Sequence, residues 1–219
     1  MQPTHKYGVH EIFGPTIQGE GQMAGVPCIF LRFSGCNMWD GRPETREEST
    51  CPFCDTDFFS HKMLTIEEIL SQIRDLEGDN QIKWVWISGG EPSLQLDYNL
   101  LSSLQVKYDV AVESNGTREF KDDVYFNIDH LTISPKLPWE QTVIRRADTL
   151  KLLYPHPNPS INPHAFRDFN AESYYLQPIA HDDDDERTRG IGTQSVINKL
   201  YDLPGWKLSI QLHKVIGLP

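Results

Sequence analysis

Long apolar runs and positive charge are both scarce in this chain of 219 residues. No run approaches the ~18 apolar residues that a membrane-spanning helix needs, and residues 1–13 lack the apolar stretch of a signal peptide. Lys and Arg number 20 against 31 Asp and Glu, which gives a formal net charge of −11. Broad binding to a phosphate backbone needs clustered cations. We therefore expect a cytoplasmic protein with neither a membrane nor nucleic acid as a direct partner.

Cysteine is also sparse, with four residues at Cys28, Cys36, Cys51 and Cys54. A cytosolic chain of this size does not need disulfides, so the close pair Cys51 and Cys54 favours metal or redox chemistry. The length suits one domain spanning residues 1–219, and no internal repeat divides it. The acidic run at residues 182–186 is typical of a solvated loop, and we assign it no function.

Short runs rich in β-branched and aromatic residues recur along the chain and show little alternation. This pattern is typical of strands buried on both faces of a parallel sheet. The strands are predicted at Pro27–Phe33, Trp84–Ser88, Asp109–Glu113, Leu131–Ser134, Leu150–Tyr154, Tyr174–Gln177 and Lys207–Leu212. Helices are predicted at Thr65–Leu76, where Thr65 and Glu68 form a capping box, at Tyr98–Gln105 and at Thr193–Tyr201. Strands separated by helices or long links indicate an α/β fold with parallel crossovers.

Several of the predicted strands end in small or polar residues. The endings are Ser88-Gly89-Gly90-Glu91, Glu113-Ser114-Asn115, Ser134-Pro135-Lys136, Gln177-Pro178 and His213-Lys214. In parallel α/β folds, ligands bind at the carboxyl ends of the strands because the loops converge there. We therefore expect these segments to share one site.

Three of the cysteines form a C-x14-C-x2-C motif at Cys36, Cys51 and Cys54, directly after the first predicted strand. Thiolates are soft ligands that suit zinc or an iron–sulfur cluster. A structural zinc site would need a fourth ligand, for which His61 is the candidate, because Cys28 lies within a strand and is expected in the core. A cluster held by three cysteines would leave one iron open. The spacing of the cysteines alone does not decide between a zinc site and an iron–sulfur cluster.

A second motif lies one helix downstream, where the strand WVWIS runs into Gly89-Gly90-Glu91-Pro92. Glycines let the backbone approach a ligand closely, and the carboxylate can meet a cation. Together with the three cysteines, this motif resembles the radical S-adenosylmethionine (SAM) superfamily, whose cysteine loop follows the first barrel strand and whose GGE motif ends the second. The resemblance implies an incomplete, divergent (β/α) barrel with mostly parallel strands.

The fourteen residues between the first two cysteines exceed the three that are usual in this superfamily. The expanded loop resembles one branch of the 7-carboxy-7-deazaguanine synthases, which act in the 7-deazapurine (queuosine) pathway. Further matches extend along essentially the whole chain. They are HEIF at residues 10–13, IQGEG at residues 17–21, FLRFSGCN at residues 30–37, CDT at residues 54–56, ESNG at residues 113–116, SPK at residues 134–136, LK at residues 150–151, QP at residues 177–178 and the tail from His213 to Pro219.

The resemblance implies that Cys36, Cys51 and Cys54 hold a [4Fe-4S] cluster whose remaining iron is chelated by SAM. It implies reductive cleavage of SAM to a 5′-deoxyadenosyl radical, in a dry pocket that protects this radical. Thr56 matches the position of a Mg²⁺ ligand. The implied SAM contacts are Phe53, Cys54, Asp55, Gly90, Ser134, Pro135, Lys136, Gln177, Pro178, Ile179 and Ala180.

The implied substrate is 6-carboxy-5,6,7,8-tetrahydropterin, which loses ammonia to give 7-carboxy-7-deazaguanine. By resemblance, Gln18, Glu20 and Glu113 would accept hydrogen bonds from the pterin edge, and Arg32 would bind the substrate carboxylate through two parallel hydrogen bonds. The full implied substrate set is Ile17, Gln18, Gly19, Glu20, Arg32, Ser88, Glu113, His213 and the terminal carboxylate of Pro219.

The resemblance also implies a homodimer and a small electron donor such as flavodoxin or ferredoxin. Two other functions are compatible with parts of the pattern. One is a different radical SAM enzyme, such as a glycyl-radical activating enzyme. The other is a zinc-stabilised interaction domain without catalysis.

Overall fold

The computed structural model describes residues 5–54, 56, 58–179 and 186–218, except the side chains of residues 186–191. The strands are β1 (Tyr7–Ile17), β2 (Pro27–Phe33), β3 (Lys62–Leu64), β4 (Trp84–Gly89), β5 (Asp109–Ser114), β6 (His130–Ile133), β7 (Arg146–Leu153), β8 (Asn170–Gln177) and β9 (Trp206–Leu208). The helices are α1 (Ile66–Glu77), α2 (Tyr98–Gln105), α3 (Asp122–Tyr125), α4 (Glu186–Leu200) and α5 (Leu212–Ile216). No helix in the described ranges is long and apolar enough to cross a membrane.

The nine strands form one mixed sheet in the order β3-β1-β2-β4-β5-β6-β7-β8-β9. Strand β1 runs antiparallel to both β2 and β3, whereas every pair from β2 to β9 is parallel. The predicted α/β class with mostly parallel strands is therefore confirmed. Because the parallel strands point the same way, their carboxyl ends lie along one rim of the sheet.

Side chains along the central strands alternate between the main core and the inner face of the sheet. On β2, Leu31 and Phe33 are buried in the main core, while Phe30 and Arg32 line a cavity on the inner face. On β4, Ile87 belongs to the core and Ser88 to the cavity. The β2–β4 register pairs Arg32 with Ser88. Because successive side chains of a strand point to opposite faces, polar residues such as Arg32 and Ser88 reach the cavity while their neighbours pack in the core.

Local sequence signals account for the helix that follows the cysteine loop. The Thr65 hydroxyl accepts a hydrogen bond from the Glu68 amide (3.3 Å), and the Glu68 carboxylate accepts one from the Thr65 amide (2.7 Å). This is the predicted capping box, which satisfies two backbone donors that the helix itself leaves unpaired. Ile69 and Ile73 then bury the inner face of α1 in the main core.

Most of the predicted elements are present, and the differences are instructive. The prediction missed β1, the longest strand, and also β3. The strand predicted at Lys207–Leu212 was wrong beyond Leu208, because residues 209–211 leave the sheet and Leu212 begins α5. The acidic residues 182–185 lie outside the described residues, and Glu186 begins α4.

The two edges of the sheet are β3 and β9, and the segment after β1 bridges the opening near β9. The Gly21 amide donates to the Ser209 hydroxyl (2.9 Å), and the Leu212 amide donates to the Gly19 carbonyl (2.9 Å). On the inner face of β7, the Thr149 hydroxyl donates to the Gln22 side chain (3.0 Å). The incomplete barrel is therefore closed on one side by a loop instead of by a strand ladder.

Candidate active site

A cavity of about 460 Å³ opens at the carboxyl ends of the parallel strands. Each of the five predicted polar segments contributes at least one residue to its lining, through Ser88, Ser114, Ser134, Gln177 and His213. His213 lies in α5, however, and not at the end of a strand as predicted. The volume falls in the range typical of small-molecule sites. One cavity therefore collects the segments that the sequence pattern predicted would lie together.

Most of the residues assigned by resemblance line this cavity. They are Cys36, Cys51, Cys54 and Thr56 of the metal set, Phe53, Gly90, Ser134, Lys136, Gln177, Pro178 and Ile179 of the SAM set, and Ile17, Gln18, Glu20, Arg32, Ser88, Glu113 and His213 of the substrate set. Pro135 and Gly19 are not among the lining residues. Asp55, Ala180 and Pro219 lie outside the described residues. The chemical roles of all these residues stay predictions.

The three motif cysteines line the cavity, and none of them forms a disulfide. The Cys54 amide donates to the Cys51 carbonyl (3.0 Å), so the C-x2-C segment forms a tight turn. The Cys36 sulfur accepts a hydrogen bond from the Met38 amide (3.4 Å). Burial raises the pKa of Cys36, and burial raises the pKa of Cys51 to about 11. Burial thus makes Cys36 and Cys51 costly to ionise on their own, and thiolates are soft ligands that a metal centre stabilises.

Neither additional zinc ligand considered from the sequence lies in this cavity. Cys28 is fully buried against Trp86 and Ala111, as expected of a core residue. His61 is exposed, and its Nδ1 lies 3.4 Å from the Phe59 carbonyl. Within the described ranges, no three Cys, His, Asp or Glu side chains are placed to hold a single metal ion. Neither Cys28 nor His61 is therefore placed beside the three thiols as the fourth ligand of a zinc site.

The Gly-Gly-Glu-Pro segment packs against the loop that carries Cys36. A Cβ atom at Gly90 would lie 1.8 Å from the Gly35 carbonyl oxygen, so only glycine allows this approach. The Glu91 carboxylate is buried and accepts hydrogen bonds from the Ser93 amide (3.0 Å), the Ser114 hydroxyl (2.7 Å) and the Asn115 amide (2.8 Å). The observed partners of Glu91 are thus N–H and O–H donors. Two of them, at Ser114 and Asn115, lie at the end of β5, so Glu91 positions this strand end.

Asn115 extends this network to the cysteine loop. Its side-chain amide donates to the Asn37 side chain (2.9 Å), and Asn37 in turn donates to the Thr117 hydroxyl (2.8 Å). Asn37 follows Cys36 directly. The position of this thiol is therefore coupled through hydrogen bonds to Glu91 and the end of β5.

Two carboxylates meet one buried lysine on another wall of the cavity. The Lys151 side chain on β7 is 4% exposed and forms ion pairs with Glu20 and with Glu113, the latter at 2.7 Å. Burial lowers the pKa of Lys151, but the Glu113 and Glu20 carboxylates outweigh it and raise this pKa above its usual value. The Gln211 side chain also donates to Glu20 (2.8 Å). Lys151 therefore remains a cation beside two acidic side chains.

Arg32 lies on a third part of the cavity wall and has an incomplete set of partners. Its Nη1 donates to the Glu11 carboxylate (2.5 Å), and its guanidinium stacks over the Phe13 ring (5.2 Å). Its Nε is buried without a hydrogen-bond partner among the described residues. A buried unpaired donor on an oriented guanidinium is suited to an anionic ligand.

The segment after β9 completes the wall next to Glu20. The Ser209 hydroxyl donates to the Gln177 side chain (2.7 Å) and receives the Gly21 amide (2.9 Å). A Cβ atom at Gly19 would lie 1.9 Å from the His213 ring. Gly19 therefore allows the His213 side chain to pack directly on the loop after β1.

The sequence prediction did not assign a role to two of the residues in this wall, Lys151 and Gln211. Lys151 carried a usable signal, since a lysine within the apolar run LKLLY is rarely buried unless it is paired. Gln211 carried none, because the predicted strand placed it in a sheet. The aromatic lining by Phe13, Phe30 and Trp86 was also not foreseen.

Two proteins named 7-carboxy-7-deazaguanine synthase, from Caulobacter vibrioides and Bordetella pertussis, are 37% and 36% identical to this chain. Each alignment covers 97% of this chain and 99% of the relative. QueE from Escherichia coli has a similar fold, with a TM-score of 0.67 at 23% identity over 95% of both chains. No protein-family model matches the chain.

Proposed function

Because the chain belongs to the 7-carboxy-7-deazaguanine synthase family, we propose that its cavity converts 6-carboxy-5,6,7,8-tetrahydropterin to 7-carboxy-7-deazaguanine with loss of ammonia. The chain is an enzyme of the radical SAM lyase class in 7-deazapurine biosynthesis. The observation that carries the proposal is that three thiols, two paired carboxylates and an arginine with an unpaired donor line the same cavity. In this combination, the thiols are suited to a metal centre, and the carboxylates and the arginine are suited to a polar ring that carries a carboxylate.

In this proposal, Cys36, Cys51 and Cys54 would hold a [4Fe-4S] cluster with one iron available to SAM. When bound, the cluster and SAM would supply an electron and a 5′-deoxyadenosyl radical for hydrogen abstraction from the substrate. The Glu91 and Asn115 network holds the loop that carries Cys36. The Cys51 side chain is buried, so little of this thiol faces solvent.

The residues proposed to bind SAM form the wall next to the thiols. The Gln177 side chain is held by Ser209, and the Lys136 ammonium donates to the Ser134 hydroxyl (2.6 Å). Ile179 and Pro178 supply apolar surface. Phe53, Gly90 and Pro135 complete the set, together with Asp55 and Ala180 outside the described residues. Such a mixture of small polar and apolar groups suits a nucleoside.

The residues proposed to bind the substrate include the paired carboxylates and Arg32. Glu20 and Glu113 would accept hydrogen bonds from the donor edge of the pterin, assisted by Gln18. The Arg32 guanidinium would donate to the substrate carboxylate, and its Nε would gain the partner that it lacks. Ile17, Ser88 and His213 would be further contacts from the cavity lining, and Gly19 leaves room for the His213 ring. We propose the Pro219 carboxylate as one more substrate contact.

Three further assignments belong to the proposal. Thr56, which lines the cavity next to Cys54, would contribute an oxygen ligand to Mg²⁺. A small electron donor such as flavodoxin or ferredoxin would reduce the cluster. The enzyme would act as a homodimer.

Anaerobic reconstitution with iron and sulfide tests the proposed function directly. We expect a reducible cluster in electron paramagnetic resonance spectra and 7-carboxy-7-deazaguanine as the product from carboxytetrahydropterin, SAM and a reductant. Cys51→Ala should abolish both signals. The matched variant Cys28→Ala should retain both, because Cys28 lies in the core outside the cavity. Tightly bound zinc without a reducible cluster, or SAM cleavage without this product, would overturn the proposal.

A further inference from the structure

Lys151 joins three elements of the cavity that share no strand ladder with one another. It projects from β7, whereas Glu113 belongs to β5 and Glu20 to the loop after β1. Strand β6 separates β5 from β7 in the sheet. The two carboxylates therefore approach each other through the ammonium group of Lys151, and their mutual placement depends on it.

The ion pairs also fix what the two carboxylates can offer to a ligand. An ionised carboxylate only accepts hydrogen bonds, whereas a protonated one also donates. Two facing carboxylates without a cation repel each other, and one of them then takes up a proton. A lysine that is 4% exposed and paired with both excludes that state. Glu20 and Glu113 consequently present hydrogen-bond acceptors alone.

We propose that Lys151 is a positioning residue that makes the cavity selective for a ring edge carrying adjacent N–H donors. This inference rests on the proposed function and deepens it. A 2-amino-4-oxopyrimidine edge offers an exocyclic amine beside a ring N–H, and both groups pair with acceptors. A 2-oxo ring instead places a carbonyl oxygen against the carboxylates, where lone pairs face each other.

A binding comparison with two unreactive ring analogues tests this role. The reconstituted enzyme with SAM but without reductant is titrated calorimetrically with 6-carboxypterin, which has the 2-amino group, and with 6-carboxylumazine, which has a 2-oxo group. We expect the wild-type enzyme to bind the pterin at least about tenfold more tightly.

The variant Lys151→Met removes the ammonium and keeps an unbranched side chain. It should weaken pterin binding by about tenfold to a hundredfold, because one carboxylate then takes up a proton and loses its charge-assisted hydrogen bond with a pterin N–H group. The ratio of the two dissociation constants should come close to one. Lys151→Arg should recover most of the ratio. The control Lys83→Met removes an exposed lysine that pairs with Asp109 and should leave both constants unchanged.

Two results would overturn the role of Lys151. One is a wild-type enzyme that does not distinguish the analogues. The other is a Lys151→Met enzyme that keeps the wild-type ratio, including the case in which both analogues bind equally more weakly, which indicates a structural role only. If Lys151→Met does not fold by circular dichroism, Lys151→Gln carries the same comparison. Failure of the proposed function is distinguished by a wild-type enzyme that forms no product from carboxytetrahydropterin.

Discussion

Replacing Glu91 with glutamine should test how far the Gly-Gly-Glu-Pro segment holds the cysteine loop. The Glu91 side chain is buried, and its carboxylate receives three donors, two of them backbone amides. In either orientation of a glutamine amide, its NH2 group faces one of these two amides. We expect Glu91→Gln to lower the free energy of unfolding by about 2–4 kcal/mol, since one buried donor loses its acceptor and the remaining bonds lose their charge assistance.

Urea unfolding of the metal-free protein, followed by circular dichroism, measures this change. Glu119→Gln is the matched control, because Glu119 is exposed, and it should alter stability by less than about 0.5 kcal/mol. The iron content after reconstitution should fall in Glu91→Gln, because the Asn115 contact with Asn37 loses its support. A variant with wild-type stability and full iron content would refute the argument that Glu91 positions this loop.

Three more predictions concern a distant ion pair, the glycine that packs against His213, and Arg32 in the cavity. The hydrogen bond from Lys107 holds the pKa of Glu77 below its usual value, so this pair adds stability above the unfolded-state value of about 4.3 that is lost as the pH falls through the folded value. Glu77→Gln should therefore lower the urea midpoint at pH 7, and the difference from the wild type should shrink below pH 4; a constant difference would contradict this linkage. Gly19→Ala should raise KM for the pterin, because the added methyl group would lie 1.9 Å from the His213 ring, and unchanged steady-state kinetics would show that this packing is dispensable. Arg32→Lys should weaken pterin binding by about tenfold or more while SAM cleavage without product continues, because a lysine cannot form two parallel hydrogen bonds to a carboxylate; equal affinities in a titration would argue against that contact.

Local sequence patterns predicted most of the parallel strands of the sheet. Strand β2 and helix α2 have the predicted bounds, and α1 has the predicted capping box. These elements combine an apolar pattern with clear flanking residues, so that local and tertiary preferences agree. Strand β1 was missed because its glycines and Pro15 interrupt the apolar pattern, while pairing with β2 and β3 outweighs that interruption.

The metal end of the site was easier to predict than the substrate end. The three thiols belong to one recognisable motif, and their residue type and spacing indicate a metal site, whereas the choice of a cluster over zinc came from the family resemblance. Glu20, Glu113 and Lys151 are separated along the chain, so only the fold brings them together. Gln211 was assigned to a strand, although residues 209–211 leave the sheet to contact Gln177 and the loop after β1. Long-range contacts of this kind leave no periodic signal in the sequence.

The wall that joins residues 18–22 to residues 209–213 is held without a strand ladder. The Gly21 amide donates to the Ser209 hydroxyl, the Leu212 amide donates to the Gly19 carbonyl, and the Gln211 side chain donates to Glu20. Because each segment depends on the other for these hydrogen bonds, a displacement of either one should remove them together and open the cavity beside Glu20.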